Sequence, residues 1–152
     1  MKIKDFLSTD AVICDGVATS KKQLLETLAH LAFEKTGLDE HTVLDALIER
    51  ERLGTTGVGR GIALPHTRLP KLEKIFCAFV KTQPVDFDSI DGKMVDLAFL
   101  LLVPEEAGAD HLKALARLSR LLRNESVADA LRNAKTVNDI YALINQNDQD
   151  DL

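Results

Sequence analysis

The chain has 152 residues, of which 45% are hydrophobic and 28% charged, with a formal net charge of −5. This is the balance of a soluble globular protein, long enough to bury roughly two-thirds of its unfolded surface in one domain spanning 1–152. The acidic total excludes general affinity for nucleic acid, which requires clustered Lys and Arg against phosphates.

In chain order, the start Met1-Lys2-Ile3-Lys4-Asp5 lacks the apolar core of a signal peptide. The stretch 11–14 suits an edge strand. Ser20 and Gln23 have the spacing of a capping box, and Leu24, Leu28, Leu31 and Ala32 follow at helical intervals as far as Gly37. A second helix starts around Asp39, buries Val43, Leu44, Leu47 and Ile48, and stops at Gly54 as a C′ glycine. Beyond a glycine-rich loop, 75–80 reads as a strand and 95–103 as a buried central one. Between them, 84–88 suits a short strand or loop and 90–93 a turn. Asp110 can cap a third helix bearing Leu112, Leu115, Leu118 and Leu122, and two shorter helices follow near 126–133 and 136–145. The polar tail, about 146–152, is expected to fray. Strands interleaved with helices define an α/β sandwich, a mixed β-sheet flanked by helices. The apolar run 97–103, closed by Asp96 and Pro104, is too short to cross a bilayer. Cys14 and Cys77 are isolated thiols, which suits a reducing cytoplasm without a disulfide.

The chemistry concentrates in the segment from Gly54 to His66. Four glycines (Gly54, Gly57, Gly59 and Gly61) precede Ile62-Ala63-Leu64-Pro65-His66. Such glycines let the backbone take positive φ and pass close to other groups, whereas Pro65 fixes its own φ and keeps Leu64 extended. The arrangement would place one imidazole accurately, although an ordinary structural histidine is the competing reading. The segment is not a P-loop, because Arg60 and Gly61 stand where Lys and Ser or Thr are needed. Nor is it the dinucleotide fingerprint, because Gly57, Gly59 and Gly61 simply alternate.

Were His66 a phosphoryl acceptor, charge on the equatorial oxygens would need an arginine fork. Arg50 and Arg52 both lie just before the loop and project from different faces of their helix, so at most one faces His66; composition does not choose between them. His111 falls in the first turn of the third helix, where a depressed pKa would make it a neutral N–H donor; an ordinary histidine near a cap competes with that reading. Lys113, Arg117 and Arg120 form a stripe that normally means a solvated face. His30 and His41 have no spaced partners, so no metal site is expected, and no acyl-transfer elbow is present.

Arg50-Glu51, then Gly54-Thr55-Thr56-Gly57-Val58-Gly59 and Gly61-Ile62-Ala63-Leu64-Pro65-His66, closely resemble the active-site signature of the fructose–mannitol type enzyme IIA family of the bacterial phosphotransferase system, most of all its nitrogen-regulatory branch. The likeness continues through 84–91, 95–97, 102–104 and His111-Leu112, and covers about 7–144. The resemblance implies an α/β sandwich in which His66 accepts a phosphoryl group from a histidine-containing phosphocarrier protein. It also implies that Arg50 and His111 are the further active-site residues and that Thr56 and Gly57 shape the phosphoryl pocket. A cytoplasmic regulator of partner proteins is the function implied, with no cofactor, no nucleic acid and no membrane insertion. A fructose- or mannitol-specific enzyme IIA passing phosphate to a permease IIB domain is the alternative. Several sugar-transporting relatives carry glutamate where this chain has Arg60, and a cation there is expected to alter the field around His66.

Overall fold

The computed structural model describes residues 1–149. A 3₁₀ turn at Ile3–Asp5 and another at Thr9–Ala11 lead into β1 (Val12–Gly16), followed by α1 (Lys21–Thr36) and α2 (Glu40–Leu53). Three short strands come next: β2 (Gly57–Gly59), β3 (Ile62–Ala63) and β4 (His66–Leu69). Two long strands, β5 (Phe76–Val85) and β6 (Val95–Pro104), precede α3 (Ala109–Arg123), α4 (Glu125–Asn133) and α5 (Val137–Asn147).

The sheet is mixed. Its strand order is β1-β5-β6-β3-β2, with β4 also paired to β6. β5 and β6 run antiparallel, while β1 is parallel to β5, and β3 and β4 are parallel to β6. The stretches 76–80 of β5 and 97–103 of β6 are continuously apolar because both of their faces are covered, whereas β5 turns polar from Lys81 and is exposed at Gln83 and Pro84. Phe79 and Phe99 are directly opposed across β5 and β6, with ring centroids 4.7 Å apart. Helices α1 and α2 pack on each other and on β5 and β4, whereas α3, α4 and α5 form a second group against β6 and β1. The α/β sandwich expected from the sequence is the architecture found.

Local signals account for the helix boundaries. The Ser20 hydroxyl caps α1 by accepting from the Gln23 N–H at 3.1 Å, while the Gln23 amide oxygen accepts from the N–H of Thr19, one residue before the N-cap, at 2.9 Å, so the capping box is only half made. Gly37 closes α1 in the left-handed region at φ 77°, and Asp39 caps α2 by accepting from the Thr42 N–H. Gly54 does stop α2, but at φ 153° and ψ 144° rather than in the left-handed region.

Three expectations are corrected. Asp110 does not cap α3: it lies inside the helix, and the N-cap is Gly108 without a side-chain bond. The segment 84–85 completes β5 instead of forming a separate piece. The chain end is tied down as far as it is described. Asp148 is buried, accepting from the Ile3 N–H at 2.6 Å and from Arg117 at 2.7 Å. Arg120 donates to the Gln149 carbonyl, so Arg117 and Arg120 hold the C-terminal segment rather than forming a purely solvated stripe. The remainder of the expected frayed tail, 150–152, lies outside the described residues.

Candidate functional site

The site is built on the edge of β6. β3 pairs Ala63 with Ala98 and β4 pairs His66 with Leu101, an advance of three residues on each strand. Leu64 and Pro65 therefore interrupt the pairing without shifting its register. Proline has no N–H to contribute to a ladder, and Leu64 turns its own N–H away to the Thr56 carbonyl at 2.9 Å. The Leu64 carbonyl is left for the histidine two residues on: His66 Nδ1 lies 2.7 Å from it. A carbonyl can only accept, so Nδ1 carries the proton and Nε2 keeps the lone pair. The Pro65 carbonyl accepts from the Leu101 N–H at 2.9 Å and re-anchors the strand at that point. The sequence around Pro65 thereby sets both the orientation and the tautomer of the ring.

The structure brings His66, Arg50 and His111 together. The rings of His66 and His111 meet edge to face, with centroids 5.8 Å apart. Burial holds the His66 imidazole below its ordinary value near 6.5; the Leu64 bond works against that shift and the nearby Arg50 charge works with it, opposed by Glu51. Burial likewise lowers His111, helped by the charge of Arg68 and by His66. Arg50 sits in the last turn of α2 and donates to the Gly54 carbonyl at 2.8 Å, which aims its guanidinium along the start of the glycine loop. Arg52 projects elsewhere, exposed and paired with Glu49. Of the two arginines the sequence left open, only Arg50 acts on His66.

Thr56 and Gly57 lie beneath the loop, both buried. Glu51 accepts from the Thr56 N–H at 3.0 Å and from its hydroxyl, and pairs with Lys21 at 3.0 Å. Lys21 in turn lies 4.7 Å above the Phe87 ring. The Thr55 hydroxyl donates to the Phe87 carbonyl, and the Gly57 carbonyl accepts from the Ile90 N–H. At Gly57 a Cβ would stand 2.4 Å from the Ser89 hydroxyl, so only glycine fits there. The segment 86–92 is thus the floor on which the glycine loop rests.

Arg60 does not act on His66. It occupies the two-residue turn between β2 and β3 with Gly61, both at positive φ (58° and 81°) as primed hairpin turns require. Its guanidinium donates to the Leu122 and Arg123 carbonyls at the C-terminal end of α3, the opposite end from His111. There it complements the negative end of the helix dipole. The sequence reading also assigned no role to Glu51 or Arg68. For Arg68 a signal existed: side chains two apart on a strand share a face, which places Arg68 beside His66. Among the described residues no cluster of three His, Cys, Asp or Glu side chains gathers as a metal site. No helix among them is long and apolar enough to cross a membrane.

The mixed sheet flanked by helices that carries this histidine pair is the fold of phosphotransferase-system IIA proteins. The chain belongs to the EIIA 2 family of the phosphoenolpyruvate-dependent sugar phosphotransferase system, whose family model matches residues 5–147. It is similar to the nitrogen regulatory protein of Bradyrhizobium diazoefficiens, 51% identical over 145 residues that cover 95% of each chain. It is also similar to the fructose-specific EIIA component of Haloferax volcanii, 41% identical over 128 residues covering 81% of this chain and 83% of the other. The crystal structure of the nitrogen regulatory protein IIA-Ntr of Neisseria meningitidis superposes with a TM-score of 0.89 at 35% identity, covering 93% of this chain and 98% of that one.

Proposed function

We propose that the chain is a cytoplasmic phosphoryl-accepting regulator of the nitrogen-related phosphotransferase system. His66 takes the phosphoryl group from a histidine-containing phosphocarrier protein, and the phosphorylation state decides which target proteins bind. The observation that carries this reading is the bond from His66 Nδ1–H to the Leu64 carbonyl, which leaves Nε2 as the nucleophile. In the transfer, the Nε2–P bond forms while the N–P bond of the donor phosphohistidine breaks, and the electron pair of that bond returns to the donor imidazole. The accepting ring gains positive character, which strengthens the Nδ1–H to Leu64 bond as transfer proceeds. Arg50 would hold the equatorial oxygens, and His111 would supply a neutral N–H to one of them. Thr56 and Gly57 shape the pocket by fixing the loop rather than by touching the phosphoryl group.

Arg50→Ala is expected to slow labelling by about a thousandfold, the size reported for loss of one charge-stabilising group at a transferring phosphoryl. The chain should still fold, because Arg50 makes one bond to the Gly54 carbonyl. Stopped-time labelling with radioactive phosphoenolpyruvate, the phosphocarrier and its charging enzyme measures this; a native rate would remove Arg50 from the mechanism.

The lowered affinity of His66 for protons predicts an uptake rate that stays level as pH falls from 8 to about 6.5, with its acid limb below the range of an ordinary imidazole. Folding follows the same sign. The unfolded imidazole takes a proton first, so stability contributed by neutral His66 is present above 6.5 and is lost as pH falls from there through the lowered folded value. His111 adds in the same direction, whereas Glu40 raises exposed His30 and opposes it. Initial rates at saturating donor and urea midpoints across pH 5 to 8 check both; an acid limb above 6.5 contradicts the first.

The likeness to a fructose-specific component supports a second reading, in which the phosphoryl group is passed to a permease IIB domain. Labelled protein mixed with such a domain and its sugar separates the two: retained label supports the regulator and rapid loss supports the transporter component.

A further inference from the structure

Arg68 is the third residue of β4, two beyond His66 and therefore on the same face of the strand. Its guanidinium donates to the Glu105 carbonyl at 2.9 Å. Glu105 belongs to the connection between β6 and α3; the ladder of β4 with β6 ends one residue earlier, at Leu69 opposite Pro104, so this side-chain bond extends the tie from the acceptor's strand into the segment that leads to α3. Two backbone bonds shape that segment, from the Ala107 N–H to the Pro104 carbonyl and from the Asp110 N–H to the Ala107 carbonyl, and neither reaches β4. Gly108 opens the helix at φ 59° without a side-chain cap. His111, in the first turn of α3, has a buried Nδ1 that meets no hydrogen-bond partner among the described residues, so its own bonds do not fix the ring. Two guanidiniums nevertheless attend the pair of rings, Arg50 acting on His66 and Arg68 acting on His111.

We propose that Arg68 is the positioning residue for His111: by tying β4 to the connection ahead of α3, it holds the His111 ring against His66 in the arrangement that phosphoryl transfer uses. The proposal rests on the phosphoacceptor reading above and deepens it. Arg68 touches neither ring nitrogen of His66 and acts only through its neighbour. Burial first, and the fixed charge of Arg68 after it, lower the affinity of His111 for protons, so loss of that charge should raise it. The other charges around His111 are exposed and screened: Lys4 and Asp5 of the turn packed on α3, Glu105, Glu106 and Asp110 of the connection and first turn, and Lys113 further along the helix.

Arg68→Gln and Arg68→Lys test this, with labelling rates and an NMR titration of the His111 imidazole measured on each. Arg68 is exposed and makes a single backbone bond, so both variants are expected to fold. The glutamine variant should label about tenfold more slowly to the same end point, part of the roughly hundredfold that a full ångström of misplacement can cost, and its His111 should titrate at higher pH than in the native chain. The lysine variant keeps the charge and should restore the native titration and part of the rate. A glutamine variant that labels at the native rate overturns the proposal. So does one whose His111 titration is unmoved, and slow labelling in that case assigns Arg68 to docking of the donor instead. A native chain that takes no label overturns the phosphoacceptor reading, while the His111 titration still decides whether Arg68 holds that ring.

Discussion

His66→Ala is expected to abolish phosphoryl uptake while leaving the fold in place. The substitution removes the imidazole and its bond to the Leu64 carbonyl, a loss of about 1 kcal/mol, or about 3 °C in Tm for a chain of this length. None of the other three histidines can substitute. His30 has Nδ1 2.7 Å from Glu40 and Nε2 3.0 Å from Glu34, so both nitrogens face carboxylates that repel an incoming phosphoryl group. His41 is exposed at the start of α2, the end opposite Arg50. His111 lies beside His66 but has no carbonyl to set its tautomer. Label counted on the variant after prolonged incubation checks this, with circular dichroism to show that the chain is folded. Label retained on the variant would move the acceptor to one of those three rings.

Glu51→Ala is the substitution with the largest expected effect on stability. The carboxylate is almost wholly buried, with 7% of its side chain exposed, and it serves Thr56 twice and Lys21 once. Its removal leaves a buried N–H and hydroxyl unpartnered and strips the Lys21 ammonium of its closer carboxylate, Asp88 lying 3.7 Å away and exposed. Breaking such a network costs about 3 kcal/mol, equivalent to about 9 °C in Tm. The glycine loop should loosen at the same time, because Thr56 is the point at which the Leu64 N–H, and hence the approach to His66, is anchored. Labelling is therefore expected to slow together with the loss of stability. Thermal unfolding of Glu51→Ala, Thr56→Val and the double variant checks it: the double variant should be little worse than Glu51→Ala alone, since the two residues act on one contact. Full additivity would show that Glu51 supports the fold by another route.

How far the sequence was legible depended on how local each feature is. The ends of α1 and α2 are written in residues next to them, Ser20, Gln23, Gly37 and Asp39, and so could be read directly. β6 and the first half of β5 announce themselves as continuous apolar runs because both faces are covered, and the polar 81–84 hid the rest of β5. β2, β3 and β4 have no such signal, being two to four residues long; β2 pairs with β3, and the partner of β3 and β4 is β6, with Ile62 opposite Leu97 and His66 opposite Leu101. The N-cap of α3 was misread because Asp110 has the right chemistry, yet the chain enters the helix at Gly108. The C-terminal stretch was misread because its polar composition conceals a bond between Asp148 and Ile3, 145 residues apart. At the site, spacing alone left Arg50 and Arg52 equivalent; the turn of α2 and the Gly54 carbonyl separate them. Arg60 illustrates the opposite error. The glutamate that several relatives carry at this position suggested an influence on the field around His66, whereas the hairpin carries the side chain away to the far end of α3.

The central claim is that the bond between the ring of His66 and the Leu64 carbonyl decides which nitrogen reacts. Heteronuclear NMR of the histidine rings in the chain, charged from phosphoenolpyruvate through the phosphocarrier, measures this directly. Phosphorus coupled to Nε2 of His66 is expected, with the Nδ1 proton still present and hydrogen-bonded. Phosphorus on Nδ1, or on any residue other than His66, would contradict it.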